Sequence, residues 1–256
     1  MNQIGFVKLV GLSALLGLIS IESVAVEPQK KTSETVQVYR QRQEAATPQS
    51  VLAWLKEGNI RFAGGRSRHG GYPLDARNRM RISAQGQRPL AAILSCIDSR
   101  TAPELVFDMS AGDLFTARVG ANVTNDDILG SLEIAAESGA KVVLVLGHTD
   151  CGGIKGACSG LELGHMTQLL ERVKPAIEKT HSRLDADPML SKEVGERNIN
   201  NRRYIAEVSH DNAIMSATQL RQRSSILREK IEFGEILLLS AVYDVDSGLV
   251  RFDTTN

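Results

Sequence analysis

Two short segments of the 256-residue chain carry side chains that can do chemistry together: Cys96-Ile97-Asp98-Ser99-Arg100 and His148-Thr149-Asp150-Cys151-Gly152-Gly153. Cys96, His148 and Cys151 are soft or borderline donors. Zinc takes such a set, with thiolate sulfur at about 2.3 Å and imidazole nitrogen at about 2.0–2.1 Å. Three protein ligands leave one tetrahedral corner open, the pattern of a catalytic rather than a structural site. The His-x-x-Cys spacing lets one strand-to-helix turn supply two ligands, and Gly152 and Gly153 are expected to let the backbone bend tightly there. Cysteine and histidine alone also fit a Cys96–Cys151 disulfide, or two buried thiols beside a core histidine.

Asp98 and Arg100 weight the balance toward a site. In extended backbone Cys96, Asp98 and Arg100 would all point the same way. A carboxylate so placed can bind a metal or accept a hydrogen bond from its water, and Arg100 can clamp it in a bidentate pair. A lone Asp-x-Arg is ordinarily a surface ion pair, worth about 0–1 kcal/mol. Beside Cys96 and the His-x-x-Cys turn it reads as part of the chemistry.

Apolar runs of strand length precede both segments. Leu90 to Leu94 and Val142 to Leu146 are nearly continuous hydrophobes, as in strands buried on both faces of a parallel sheet, and Leu114 to Val119 is a third run. Ligands of such sheets bind beyond the carboxyl ends of the strands, where both segments lie. The intervening pattern is helical: Ile128 to Ser138 ends at Gly139, a plausible C′ glycine. Thr47-Pro48 predicts an N-cap with proline at the first helical position and a helix ending at Gly58. Met166, Leu169, Leu170, Val173 and Ile177 mark a further helix that Pro175 kinks or divides. Residues 180 to 202 read as a polar loop with short helical pieces. Helices are expected over Ile205 to Gln222 and Ser225 to Phe233. A hairpin follows, from Ile236–Tyr243 through Asp246-Ser247-Gly248 to Leu249–Phe252. The class is α/β: a central, mainly parallel sheet flanked by helices, with an N-terminal peripheral helix and a C-terminal hairpin.

Composition narrows the function. Lys and Arg number 30, as do Asp and Glu, and aromatics make up 4%. No basic excess invites nucleic acid. Hydrophobic residues at 42% are enough for a sizeable core. Lys8, the apolar run Leu9 to Ile21 and the small residues of Ser23-Val24-Ala25 read as a signal peptide over residues 1–25, too short for a span of about 20 residues. Residues 26–46 read as a polar linker and peripheral-helix region, and 47–256 as a single domain. Export to the periplasm, with no stable membrane insertion after processing, is the expectation. Three cysteines in an oxidising compartment suit metal ligation better than a disulfide framework. Cys158 is expected to be a buried free thiol, and His69, His165, His181 and His210 to be ordinary histidines.

Cys96-x-Asp98-x-Arg100 followed by His148-x-x-Cys151-Gly152 resembles the two motifs of the β-carbonic anhydrases, in order. Gln85-Gly86-Gln87-Arg88-Pro89, Gly112-Asp113-Leu114-Phe115, Arg118-Val119-Gly120-Ala121-Asn122 and Ala241 to Gly248 extend the resemblance, which covers about 48 to 253. It implies one Zn2+ per subunit held by Cys96, His148 and Cys151, and a catalytic dyad of Asp98 and Arg100. It also implies a substrate-guiding Gln87 and a carbon dioxide pocket near Phe115, Gly120 and Ile134. At the last two positions better-known members carry bulkier or aromatic groups. The implied reaction is reversible hydration of carbon dioxide to bicarbonate by zinc-generated hydroxide. The family includes a low-pH state in which the motif aspartate closes onto the metal. It also forms dimers that often pair further, the N-terminal helix (here within 33 to 58) reaching over its neighbour, so a homodimer or homotetramer is expected. A carbon disulfide or carbonyl sulfide hydrolase on the same scaffold is a rival, and so is a non-catalytic bicarbonate-binding homologue. A thiol oxidoreductase lacks its Cys-x-x-Cys.

Overall fold

The computed structural model describes residues 41, 44–68, 83 and 87–253. The expected signal peptide, most of the polar lead-in, His69 and Gln85-Gly86 lie outside them. Five strands form one sheet: β1 (Ala91–Ser95), β2 (Leu114–Arg118), β3 (Val142–His148), β4 (Leu237–Tyr243) and β5 (Val250–Phe252), in the order β2-β1-β3-β4-β5. The first four run parallel, and β5 returns antiparallel to β4. Every residue of β1 and β3 is buried. That is why these strands are nearly continuous apolar runs: helices cover both faces of the sheet.

Helix α1 (Pro48–Ala63) starts as its sequence predicts. Thr47 caps it in a reciprocal box with Ser50: the Ser50 N–H donates to Thr47 Oγ1 at 3.1 Å, and the Thr47 N–H to Ser50 Oγ at 2.9 Å. It does not end at Gly58. A Cβ on Gly58 would lie 1.8 Å from the carbonyl oxygen of Phe107, just past α2 (Pro103–Val106), so the glycine permits a close helix crossing instead of a stop. Val51, Leu55 and Phe107 pack on one sheet face against Ile93, Leu144 and Tyr243.

The opposite face is covered by α3 (Asp126–Glu137), α8 (Arg202–Arg223) and α9 (Ser225–Glu232), whose Leu132, Ala213, Leu220 and Leu227 meet Leu94, Val143 and Val145. Between α3 and α8 the chain forms α4 (Gly152–Cys158), α5 (His165–Glu171), α6 (Lys174–Ala186) and α7 (Pro188–Val194). Pro175 divides the predicted helix and sits in the first turn of α6. Residues 180 to 194 are largely helical, against the loop expected there. The buried positions of α6 are Ala176, Thr180 and Leu184, one per turn, so its apolar stripe is too narrow to stand out in the sequence.

Candidate metal centre

Strand register sets the site. Ser95 pairs with Leu146 and His148 with Tyr243, so Cys96 leaves β1 beside the last residues of β3. His148 ends β3, and Cys151 is the N-cap residue of α4. The tight bend between them is carried by Asp150, at φ 59°, and not by the glycines. Asp is among the few residues that tolerate this left-handed region. Gly153 serves packing: a Cβ there would come within 3.0 Å of Ala121 Cβ and 3.1 Å of the Ala121 nitrogen. Ala121 belongs to the 3-10 turn Gly120–Asn122, which α8 holds from behind: Asn212 Nδ2 donates to the Ala121 carbonyl at 2.7 Å, and Ser216 Oγ to that of Asn122 at 3.2 Å.

Cys96, His148 and Cys151 are all buried, and their ligand atoms lie within 4.8 Å of one another. The sulfurs of Cys96 and Cys151 are 3.9 Å apart, and both cysteines are free. A disulfide would hold them at about 2.05 Å. Two sulfurs at about 2.3 Å from one tetrahedral ion lie roughly 3.8 Å apart. His148 Nδ1 lies 2.9 Å from the Thr149 carbonyl oxygen, so it carries the proton and donates it there. In the neutral ring Nε2 then keeps its lone pair; it is buried and, among the described residues, has no hydrogen-bond partner. A buried polar atom of this kind needs an explanation, and a cation shared with the two sulfurs provides it. The donor set and this orphaned nitrogen fit zinc.

The thiols themselves are unequal. The hydrogen bond between the two sulfurs pulls the Cys96 thiol below its usual range against the opposing effect of burial, with His148 helping. The same bond and burial push Cys151 up. The pair favours one thiolate, and a bound dication would draw the remaining proton from the sulfurs.

Asp98 lies outside this trio. The backbone is not extended past it, as the alternation from Cys96 to Arg100 had suggested. The Thr101 N–H donates to the Asp98 carbonyl at 3.0 Å, closing a turn that folds Arg100 back over Asp98. Arg100 Nε donates to Oδ1 at 2.9 Å, Nη2 to Oδ2 at 2.8 Å, and the Arg100 N–H to Oδ1 at 2.9 Å. This guanidinium holds the Asp98 carboxyl below the ordinary carboxylate range, although burial opposes it.

The other expected residues lie on separate elements and loops. Gln87 is exposed just before β1. Phe115 is half-buried in the core layer of Leu94 and Leu132, Gly120 faces Leu169, and Ile134 is 64% exposed on α3. Cys158 is half-buried, not buried, and free. His181 Nε2 meets the Tyr204 hydroxyl at 2.9 Å, and His210 Nε2 meets Asp253 Oδ1 at 2.6 Å. The sequence reading gave no role to Arg118, Asp150 or Lys155. Arg118 Nε donates to the Cys96 carbonyl at 2.9 Å and Nη2 to that of Asp98 at 2.5 Å. Asp150 accepts from Lys155 and from Arg100.

Known proteins are similar to this chain over much of its length. A family model described as carbonic anhydrase matches residues 91–250. Carbonic anhydrase 2 of Mycobacterium tuberculosis is 33% identical over 208 residues, 77% of this chain and 90% of that protein. A carbonic anhydrase of Mycolicibacterium smegmatis is 31% identical, over 78% of this chain and 92% of its own. Among solved structures, a β-carbonic anhydrase of Aspergillus fumigatus superposes with a TM-score of 0.59 at 24% identity, over 69% of this chain and 80% of that one. One of two tetrameric β-carbonic anhydrases of Sordaria macrospora gives 0.59 at 23% identity, over 77% and 93%. With its paired motifs converging at the carboxyl end of a parallel sheet, the chain belongs to the β class of the carbonic anhydrases.

Proposed function

We infer that this protein is a zinc-dependent carbonic anhydrase, interconverting carbon dioxide and bicarbonate. The observation that carries the reading is the buried His148 Nε2, without a hydrogen-bond partner among the described residues, grouped with two sulfurs, with an ionised carboxylate close by in sequence and outside the trio. Zinc, when bound by Cys96, His148 and Cys151, supplies the Lewis acidity that makes hydroxide available near neutral pH, lowering a water pKa from about 15.7 toward about 7. As thiolates, Cys96 and Cys151 offset the dication's charge, so activity rises through mildly alkaline pH.

The chain's residues do the rest. Asp98, kept anionic by Arg100, accepts a hydrogen bond from the attacking oxygen and turns a lone pair toward the carbon. Because its pKa is depressed, Asp98 orients that proton and does not carry it away. Arg100 holds Asp98 away from the trio. Gln87 is proposed to guide substrate, and Phe115, Gly120 and Ile134 to line its approach.

Stopped-flow hydration of carbon dioxide near pH 8.5 by the zinc-loaded protein tests the reading. Rapid turnover that is lost in the Cys151→Ser variant is expected; a rate no faster than buffer alone overturns it.

Export and assembly are part of the proposal. The basic Lys8, the apolar run to Ile21 and Ser23-Val24-Ala25 support processing after Ala25 and delivery to the periplasm. An intact-mass measurement of the protein recovered from the cell envelope checks this. A homodimer or homotetramer is proposed from the tetrameric Sordaria macrospora relatives, and light scattering checks that.

A further inference from the structure

Arg100 serves two carboxylates. Beyond its bidentate grip on Asp98, Nη1 donates to Asp150 Oδ2 at 3.3 Å and Nη2 to the Asp150 carbonyl at 3.4 Å. Asp150 is itself held: Lys155, in α4, donates to its Oδ1. The result is a row of alternating charge, Asp98–Arg100–Asp150–Lys155, that runs from the loop after β1 to the turn after β3. It joins the two motif segments outside the cysteine–histidine trio.

The turn is built to make this contact. Asp150 takes the left-handed conformation, at φ 59°, immediately before Cys151. That conformation brings its carboxylate and its carbonyl oxygen to the same guanidinium. Arg100 is nearly half exposed, so without a second anchor its long side chain would sample several rotamers. A guanidinium fixed by two partners presents one fork to Asp98.

We propose that Asp150 is a positioning residue for hydration: by anchoring Arg100 against the His148–Cys151 turn it fixes the orientation of Asp98. The proposal rests on the carbonic anhydrase reading above. The Asp150 side chain meets Arg100 and Lys155, and it acts through Arg100. Lys155 supports Asp150 from the far side.

The test is a double-mutant cycle on zinc-loaded protein, with kcat/KM for carbon dioxide hydration, zinc stoichiometry and Tm measured for each variant. Parental turnover comes first, and its absence would overturn the proposed hydration activity instead of this proposal. Asp150→Asn keeps size and tolerates the left-handed turn. It is expected to lower kcat/KM roughly fivefold, the upper range for a half-exposed ion pair, with one zinc per chain and Tm retained. Lys155→Met is expected to give a smaller loss. In an Asp98→Asn background both losses should vanish, because the group they act through is gone. An Asp150→Asn loss that persists in full in that background overturns the proposal, as does parental kcat/KM in Asp150→Asn or a loss matched by loss of zinc. A crystal structure of zinc-loaded Asp150→Asn reads the same point in geometry. Loss of one of the two Arg100–Asp98 side-chain bonds supports the proposal, and retention of both overturns it.

Discussion

Arg118, the last residue of β2, grips the backbone on either side of Ile97 by donating to the carbonyls of both Cys96 and Asp98. The spacing of the backbone that carries the Cys96 sulfur and the Asp98 carboxylate is thus held by a residue of a neighbouring strand. Arg118→Met removes both bonds while keeping much of the apolar stem. It is expected to lower kcat/KM about tenfold through misplacement of Asp98, and Tm by about 2–4 °C. Arg118→Lys, which lacks the fork, should recover only part of the rate. Steady-state kinetics with differential scanning fluorimetry measures both.

Asp98 is ionised throughout the neutral range because Arg100 depresses its pKa. Asp98→Asn is therefore expected to cost a ratio of rates that is the same at pH 7 as at pH 9, on the order of 10- to 100-fold. Zinc content should be unchanged. A pH-rate profile in which the two proteins converge at either end would show that Asp98 gains or loses a proton during turnover.

Gly58 marks where α1 crosses the chain at Phe107. Any Cβ there collides with backbone, and backbone cannot rotate aside. Gly58→Ala is expected to destabilise the fold by about 2–4 kcal/mol despite alanine's higher helix propensity. Urea unfolding followed by circular dichroism reads the midpoint. An increase in stability would mean the crossing is looser than the structure has it.

Asp253 ties the end of β5 to α8. It accepts from Ser240 Oγ at 2.5 Å and meets His210 Nε2 at 2.6 Å. Burial works to raise its pKa, but His210 and Ser240 outweigh it and the net shift is downward. A depressed folded pKa stabilises above the unfolded value of about 3.9, and that contribution is lost as pH falls through the folded value. Asp253→Asn should cost about 1–2 kcal/mol at pH 7, with the gap to the parent closing below about pH 4. Chemical denaturation at pH 7, 5 and 3.5 measures the trend.

Much of this was legible in the sequence, for physical reasons. The nearly continuous apolar runs Leu90 to Leu94 and Val142 to Leu146 suit strands covered on both sides, and the chemical residues follow within two positions of each. What the sequence hid depends on contacts across the fold. Gly58 looks like a helix stop until Phe107 arrives against it. Thr180 looks like a loop residue until its hydroxyl donates to the buried Asp211 carboxylate at 2.8 Å. Asp150 and Arg118 are ordinary charged residues until strand register brings them to Arg100 and to the loop after β1. The glycines of the second motif were credited with a bend that Asp150 makes.

The proposed chemistry requires one ion gripped by Cys96, His148 and Cys151. Elemental analysis of the purified protein, paired with intact-mass measurement under non-reducing conditions, tests this most directly. One zinc per chain, with both thiols reduced, and loss of that zinc in His148→Ala, is the predicted result. Metal-free protein whose mass shows Cys96 bridged to Cys151 would contradict it.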